Sequence, residues 1–551
     1  MLPLLLLSTV QAEEPESDLV SESDLVYFVL VDRFDNGDAT NDDTIDLADP
    51  HAFHGGDLAG VTRRLPYLYD LGVRTIWLSP VFTMRTEKFH SHGAFHGYWI
   101  EDLGSIEPRF GGDEALIALA DAVEEAGIRL ILDMVYNHTS FDAPLVTQRP
   151  DWFHSDGSIE NWDDPVELIN GQVHGLPDLA QENPEVYEYL LRHSLHWGRT
   201  LSADGFRIDA VRHMPNDFFH SLSTDLKEEL GADFWLLGED FQGDPVQLSS
   251  TFRDGGFDAM FDFPLRYALV DVICHGTHPG RLASTLSADH LYDDPAGLVT
   301  FLDNHDLPRL ASECGGERWR VEAALMALFA LRGTPSITYG TEWMLDGPGE
   351  PENRADMPWQ TRGPLADTLA TLAALRAEHP FLTDAEIRIG SLEDDRLELW
   401  LLGKSQSARL ILNLGTRPLT TEGAGVLVGE GGTLREFEGT VPSRSAALLF
   451  SSSTHLPWPD ETVSVHIDVQ AKRRRGEQLV VVGAGEALGD WDPARGIPLP
   501  ASIKQPLGSV MAYKLVRIDR KGVAHWEERE NRYAVVGEED MRIEALWEEK
   551  H

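Results

Sequence analysis

The sequence predicts an α/β chain built on a closed (β/α)8 TIM barrel, with a subdomain inserted after the third strand and two β-rich modules behind it. Three observations carry this. Eight short apolar runs recur between residues 26 and 340. They are continuous rather than alternating, as strands buried on both faces of a parallel sheet require. Stretches with helical spacing of apolar residues separate them, and eight such units favour closure over an open doubly wound sheet.

The strands are expected at residues 26–34, 75–81, 129–137, 205–211, 235–240, 259–265, 298–306 and 333–340, with helices at 113–126, 184–197, 319–331 and 365–377 among those between them. The connection at 139–182 is far longer than the others and holds few helical signals. A connection of that length in a compact domain is a functional insert, here a B subdomain over one side of the barrel mouth. The barrel therefore occupies 13–138 and 183–382. Short alternating runs such as 397–402 and 408–413 mark a small β-sandwich at 383–450. A Ser/Pro linker at 451–459 leads to a second β-sandwich at 460–551. Residues 1–12, MLPLLLLSTVQA, read as a secretory signal peptide cleaved after Ala12, so a secreted, extracellular protein is expected.

The 551 residues are 42% hydrophobic and 25% charged, an ordinary globular balance. The charge is not ordinary: 45 Lys and Arg stand against 92 Asp and Glu, a net −47. Such a field repels nucleic acid and anionic membrane and leaves neutral substrates and cations as partners. Most of the excess reads as solvated surface suited to a saline setting. The two cysteines, Cys274 and Cys314, exclude a disulfide scaffold and a Cys-based zinc site. They leave open one bridge or two buried thiols.

In a (β/α)8 barrel, chemistry sits at the C-terminal ends of the strands. There the third strand carries Asp133, Asn137 and His138. The fourth carries Arg207, Asp209, Arg212 and His213, the fifth Glu239, and the seventh Asn304, His305 and Asp306. His96, Gly97, Tyr98 and Trp99 follow the second. Singly, each reads equally well as a cap or an ion-pair partner. Jointly, carboxylates from separate strands at one mouth point to glycoside hydrolysis, which needs one ionised and one protonated acid. Arg207 favours the ionised form of Asp209, the nucleophile candidate. Glu239, facing two other carboxylates, is expected to hold a proton and serve as general acid. Asp306 is the third carboxylate.

These segments resemble the α-amylase family of glycoside hydrolases, family 13. The resemblance rests on DMVYNH (133–138), GFRIDAVRH (205–213), GED (238–240) and FLDNHD (301–306), with LPDL at 176–179 and NRADMPW at 353–359. It implies that Asp209 is the nucleophile, Glu239 the acid/base and Asp306 the transition-state stabiliser. It places His138, Arg207 and His305 around the sugar at the cleavage point, Tyr98 under its ring with Trp99 beside it, and Arg309 nearby. Arg212 and His213 would serve the acceptor side, although most α-glucan-active members carry Lys where Arg212 stands.

The oxygen-rich cluster Asn36, Asp38, Asn41, Asp42, Gly55 and Asp57 suits calcium and resembles the N-terminal calcium loop of cyclodextrin glucanotransferases. The family pattern implies a second Ca2+ on Asn137, Asp178 and the carbonyl of His213. Residues 460–551 resemble a starch-binding module of family 20, which implies a sugar site on Trp491, Lys514, Trp526 and Asn531. A Val in the 478–483 strand replaces the Tyr of that family's second site, and 500–509 lacks its Trp, so one working site is expected. The expected protein is a monomeric, retaining, endo-type hydrolase of α-1,4 bonds in starch and maltooligosaccharides. Its rivals are a transglycosylase of the cyclodextrin glucanotransferase type and a catalytically weak starch-binding protein. His174 stands where those transglycosylases carry an aromatic residue.

Overall fold

The computed structural model describes residues 25–42, 44–429, 434–452, 461–470, 476–529, 531–537 and 541–547. The expected signal at 1–12 and the linker residues 453–459 lie outside them. Eight strands close in chain order into one parallel barrel: Leu25–Val29, Val73–Leu78, Arg129–Met134, Gly205–Ile208, Trp235–Gly238, Ala259–Phe261, Leu298–Thr300 and Thr334–Thr338. Each strand stops before its apolar run does. The run's last residues are polar or turn-forming; several still donate a backbone amide to the neighbouring strand, as Asp209 does to Met134 O and Glu239 to Ile208 O. The Asp32 carboxylate accepts from the amides of His54 and Gly55, and its own segment coils into the turn Val31–Phe34. Ala210 takes a left-handed φ of 53° after the fourth strand. Asp262 caps the helix Phe263–Ile273 by accepting from Leu265 N at 2.9 Å.

The helices Leu58–Leu71, Gly112–Glu125, Pro184–Leu201, Asn216–Leu230, Pro245–Gly255, Arg318–Ala330 and Ala366–Glu378 lie outside the strands. Arg318–Ala330 is buried along nearly its whole length, because the following β domain covers its outer side. That domain is a six-stranded antiparallel sheet whose Leu399, Leu410 and Leu448 join the barrel core in one hydrophobic cluster. A hairpin, Phe82–Met84 with Ile100–Ile106, delivers Tyr98 to the mouth. Its first strand is too short to show alternation in the sequence. The insert at 139–182 contains two short helices, Pro144–Gln148 and Pro165–Asn170, and is tied to the third strand by the bridge His138↔Asp178. Cys274 and Cys314 form a disulfide that joins two helix ends 40 residues apart.

The C-terminal module has a three-stranded and a five-stranded sheet packed over Val465, Ile467, Leu479, Val481 and Leu515. It docks on the barrel. Tyr533 stacks on His278 with centroids 5.2 Å apart and planes 8° apart, and Val510 N donates to Ser287 Oγ at 3.3 Å.

Candidate active site

At the mouth, one guanidinium organises three carboxylates. Arg207 leaves the fourth strand fully buried. Its Nη1 donates to Asp133 Oδ1 at 2.8 Å and to Asp209 Oδ1 at 2.8 Å. Its Nη2 lies 2.8 Å from Glu239 Oε1. Asp133 is saturated with donors, since Trp77 Nε1 (3.0 Å) and Tyr98 Oη (2.8 Å) also give to its Oδ2. Burial still pushes its carboxyl up to about 7, with Arg207 and Tyr98 opposing the rise. Glu239 differs: Oε2 accepts one 3.2 Å bond from Ala210 N, and Oε1 accepts no aligned hydrogen bond. A second guanidinium, Arg354, donates to Asp306 Oδ1 at 3.0 Å and to the His305 carbonyl at 2.8 Å. Asp306 is the most open of the three candidate acids, with its side chain 40% exposed against 11% for Asp209 and 8% for Glu239.

Four carboxylates thus share two guanidiniums, and the proton settles where a charge would be least solvated. Burial pushes Glu239 up to about 8, and the charges of Asp209 and Asp306 add to the rise while Arg207 opposes it. Burial also pushes Asp306 upward, but His305, Arg354 and Arg207 outweigh it and hold that carboxyl below its usual value. The two acids are therefore driven apart: one is protonated at neutral pH and the other is an anion. Burial, more than the neighbouring carboxylates that the sequence points to, keeps the proton on Glu239.

The sugar-binding candidates assemble around this network. The Tyr98 ring stacks on His305 with centroids 4.8 Å apart and planes 10° apart. Burial lowers the His305 imidazole to about 3, so it is neutral. His138 Nε2 sits 3.1 Å from the Tyr98 carbonyl, and its buried Nδ1 has no partner. Trp99 meets Phe141 edge-on at 5.3 Å at the rim. Arg212 lies half-buried on the turn Val211–His213. His213 Nδ1 reaches the Leu168 carbonyl of the insert at 3.0 Å. Arg309 corrects the expectation. It is 1% exposed and donates to the Tyr339 carbonyl beneath the mouth, so it supports the eighth strand and does not face the cleft. Besides Arg207, the arginine that touches a candidate acid is Arg354. The sequence holds it inside NRADMPW, and only the fold brings it to Asp306. Trp162 of the insert was also missed. It is 44% exposed, 5.8 Å from His213 and 6.3 Å from His174, and a lone Trp in an irregular segment gives no pattern to read.

The two calcium candidates differ in fit. Near the third strand, the Oδ1 atoms of Asn137 and Asp178 are buried without a hydrogen-bond partner. Asp178 Oδ2 is held by His154 Nδ1 at 2.6 Å, which leaves Oδ1 free. Orphaned oxygens from two adjacent elements fit a hard cation. At the first loop the fit is partial. Asp57 already accepts from the amides of Gly37, Asp38 and Gly60 and from Asn41 Nδ2, so it anchors the loop and has no lone pair left. Asp38 is exposed and accepts from Thr40. Asn36 donates to Asp42 at 2.8 Å, the buried Asn41 Oδ1 is unpartnered, and a Cβ on Gly55 would fall 2.8 Å from Asp42 Oδ1. Asn36, Asn41, Asp42 and Gly55 stay together; Asp38 and Asp57 are otherwise engaged.

On the C-terminal module, strand register gathers the expected sugar residues. Lys514 pairs with Val482 and Trp526 with Val516, so both fall on the face that carries Val480, Val482 and Val516. Trp491 N donates to Gly483 O at the end of the neighbouring strand. Asn531 directly precedes Arg532, which pairs with Tyr513 beside Lys514. Trp526 is 39% exposed, whereas Val480 is buried at 1%.

The model described as "Alpha amylase, catalytic domain" matches residues 28–365, and that of a "Starch binding domain" matches 462–545. A β/α-amylase of Paenibacillus polymyxa is 30% identical over 391 residues, covering 67% of this chain but only 32% of that protein. A cyclomaltodextrin glucanotransferase of Klebsiella oxytoca is 28% identical over 471 residues, covering 71% of this chain and 70% of that one. The crystal structure of an Anoxybacillus α-amylase superposes with a TM-score of 0.72 at 32% identity, covering 79% of this chain and 99% of that one. The chain belongs to the α-amylase family of glycoside hydrolases and carries a starch binding domain at its C-terminal end.

Proposed function

We propose that the chain is a secreted, retaining, endo-acting hydrolase of α-1,4-glucosidic bonds in starch and maltooligosaccharides. The observation that carries this is one buried guanidinium, Arg207, 2.8 Å from both Asp209 Oδ1 and Glu239 Oε1, with the Glu239 carboxyl pushed up to about 8 by burial. Glu239, protonated, gives its proton to the glycosidic oxygen as the bond to C1 breaks. Asp209, hydrogen-bonded to Arg207, attacks C1 and forms a glycosyl ester. Glu239, now an anion, takes a proton from water, and the resulting hydroxide attacks C1 and releases Asp209. Asp306 stabilises the positive charge that develops on the ring. Tyr98 offers an aromatic face to the sugar, and His138 and His305 border it as neutral imidazoles.

Ca2+ would be structural, held by Asn137, Asp178 and the His213 carbonyl where the insert meets the barrel. The Trp491, Lys514, Trp526 and Asn531 face would hold starch. Export is supported by the Cys274–Cys314 bridge, which persists in oxidising compartments.

The transglycosylase reading keeps one observation in its favour. His174 lacks the large aromatic face of a cyclising enzyme, but Trp162 places an indole 6.3 Å away. Product analysis on soluble starch separates the two. Linear oligosaccharides with a rapid fall in chain length support endo hydrolysis; dominant cyclodextrins overturn it.

A further inference from the structure

Outside the catalytic network, three loops of the barrel's C-terminal face bring together His51, His92 and Glu350. They follow the first, second and eighth strands respectively. One ligand atom from each lies within 4.8 Å of the other two. The two imidazoles meet edge-on, with centroids 4.1 Å apart and planes 63° apart. His51 Nδ1 is buried and has no hydrogen-bond partner. A buried ring nitrogen without a partner is costly unless something fills the place it faces.

The arrangement is held by its backbone. Gly93 N donates to the His51 carbonyl at 2.9 Å, which fixes one histidine-bearing loop against the other. His92 and Phe89 exchange backbone bonds across a tight turn. Lys88 in that turn is neutralised by Asp49. Burial lowers the His51 imidazole, with His92 as the next cause, so the ring is neutral and can act as a ligand at physiological pH.

We propose that His51, His92 and Glu350 form a binding site for a divalent transition metal of the zinc class, separate from the calcium sites. Two imidazoles and one carboxylate suit Zn2+, whereas Ca2+ takes oxygen donors. Three protein ligands leave a fourth position for water. The site reaches the chemistry in two bonds. Glu350 Oε1 accepts from Arg354 Nη1 at 3.0 Å, and Arg354 Nη2 donates to Asp306 Oδ1 at 3.0 Å. A cation on Glu350 draws charge from the same carboxylate that orients Arg354. Zinc therefore lowers kcat/KM through Asp306 without touching substrate.

The test is a titration of the chelator-treated full chain, returned to calcium buffer, with ZnCl2 by calorimetry and with CoCl2 by visible absorption. Wild type takes up one equivalent of Zn2+ saturably and gives the intense bands of four-coordinate Co2+. His92→Ala and His51→Ala each weaken Zn2+ by about ten-fold or more and keep zinc-free kcat/KM on maltoheptaose. The zinc sensitivity of kcat/KM disappears in His92→Ala. Absence of saturable Zn2+ uptake by wild type overturns the proposal. So does uptake unchanged in both histidine variants, or zinc sensitivity that survives His92→Ala.

Discussion

The barrel mouth and the face around Trp491 and Trp526, the two proposed sugar sites, are built on opposite principles. At the mouth, Arg207 and Asp133 are almost wholly buried, and four carboxylates compete for two guanidiniums. On the C-terminal face, the open indole of Trp526 lies on a sheet with a valine floor, and the half-buried Trp491 sits in the adjoining turn. The difference follows from what each must do. Bond cleavage needs proton states that water does not give, so the mouth excludes water and shifts its acids. Binding a sugar face needs chiefly apolar area, so the module leaves Trp526 open, with the single cation Lys514 on the same face.

Removing one acid tests the mouth most severely. Asp209→Asn keeps the shape and the contact with Arg207 but deletes the nucleophile, and Glu239→Gln deletes the proton donor. Each is expected to lower kcat on maltoheptaose by at least about 10⁴-fold, with binding to granular starch intact. Reducing-sugar release unchanged in Asp209→Asn would falsify the assignment of the nucleophile.

The pH profile is the next largest effect. Glu239 is raised by burial to about 8, so its acid form persists through neutrality and is lost as pH rises through about 8. The alkaline limb of kcat/KM should lie there, well above an ordinary glutamate. A limb already falling between pH 5 and 6 would mean that Glu239 is solvated and that the proton resides elsewhere.

How much of this was legible in the sequence follows the same contrast. The barrel, its strand order and the residues at strand ends could be read directly, because continuous apolar runs and their polar terminators are local signals. Asp209, Glu239 and Asp306 lie on three such ends. Arg354 lies in a loop after the eighth strand, and its bond to Asp306 depends on how that loop folds back. Arg309 shows the reverse failure. A motif placed it near the sugar, and packing turned it inward to the Tyr339 carbonyl. On the C-terminal module the four candidate sugar residues follow from family likeness, and strand register puts two of them, Lys514 and Trp526, on one face.

A smaller effect isolates the module. The double variant Trp491→Ala with Trp526→Ala should lose binding to granular starch by about ten-fold or more, a stacking contribution of roughly 0.5–1.5 kcal/mol per ring beyond the area buried. Its kcat/KM on maltoheptaose should match wild type, since neither ring belongs to the mouth. Retained adsorption in a pull-down with raw starch would place the sugar site elsewhere on the module, and a loss on maltoheptaose would show that the two regions act as one.

The smallest expected effect concerns the seam between the regions. Gly280 opens the helix Gly280–Leu286, and a Cβ there would come 2.3 Å from Tyr533 Cγ. Helix propensity alone favours Gly280→Ala by about 1 kcal/mol. The clash opposes it, because overpacking costs about 1–3 kcal/mol and Tyr533 is held against His278. The sign of the change is therefore informative. If the module is seated on the barrel, Gly280→Ala lowers the melting temperature and increases cleavage of the intact chain by a nonspecific protease. If it is only tethered, the same substitution raises the melting temperature. Activity on maltoheptaose should stay unchanged in either case, because the seam touches neither the guanidinium network nor the indole face.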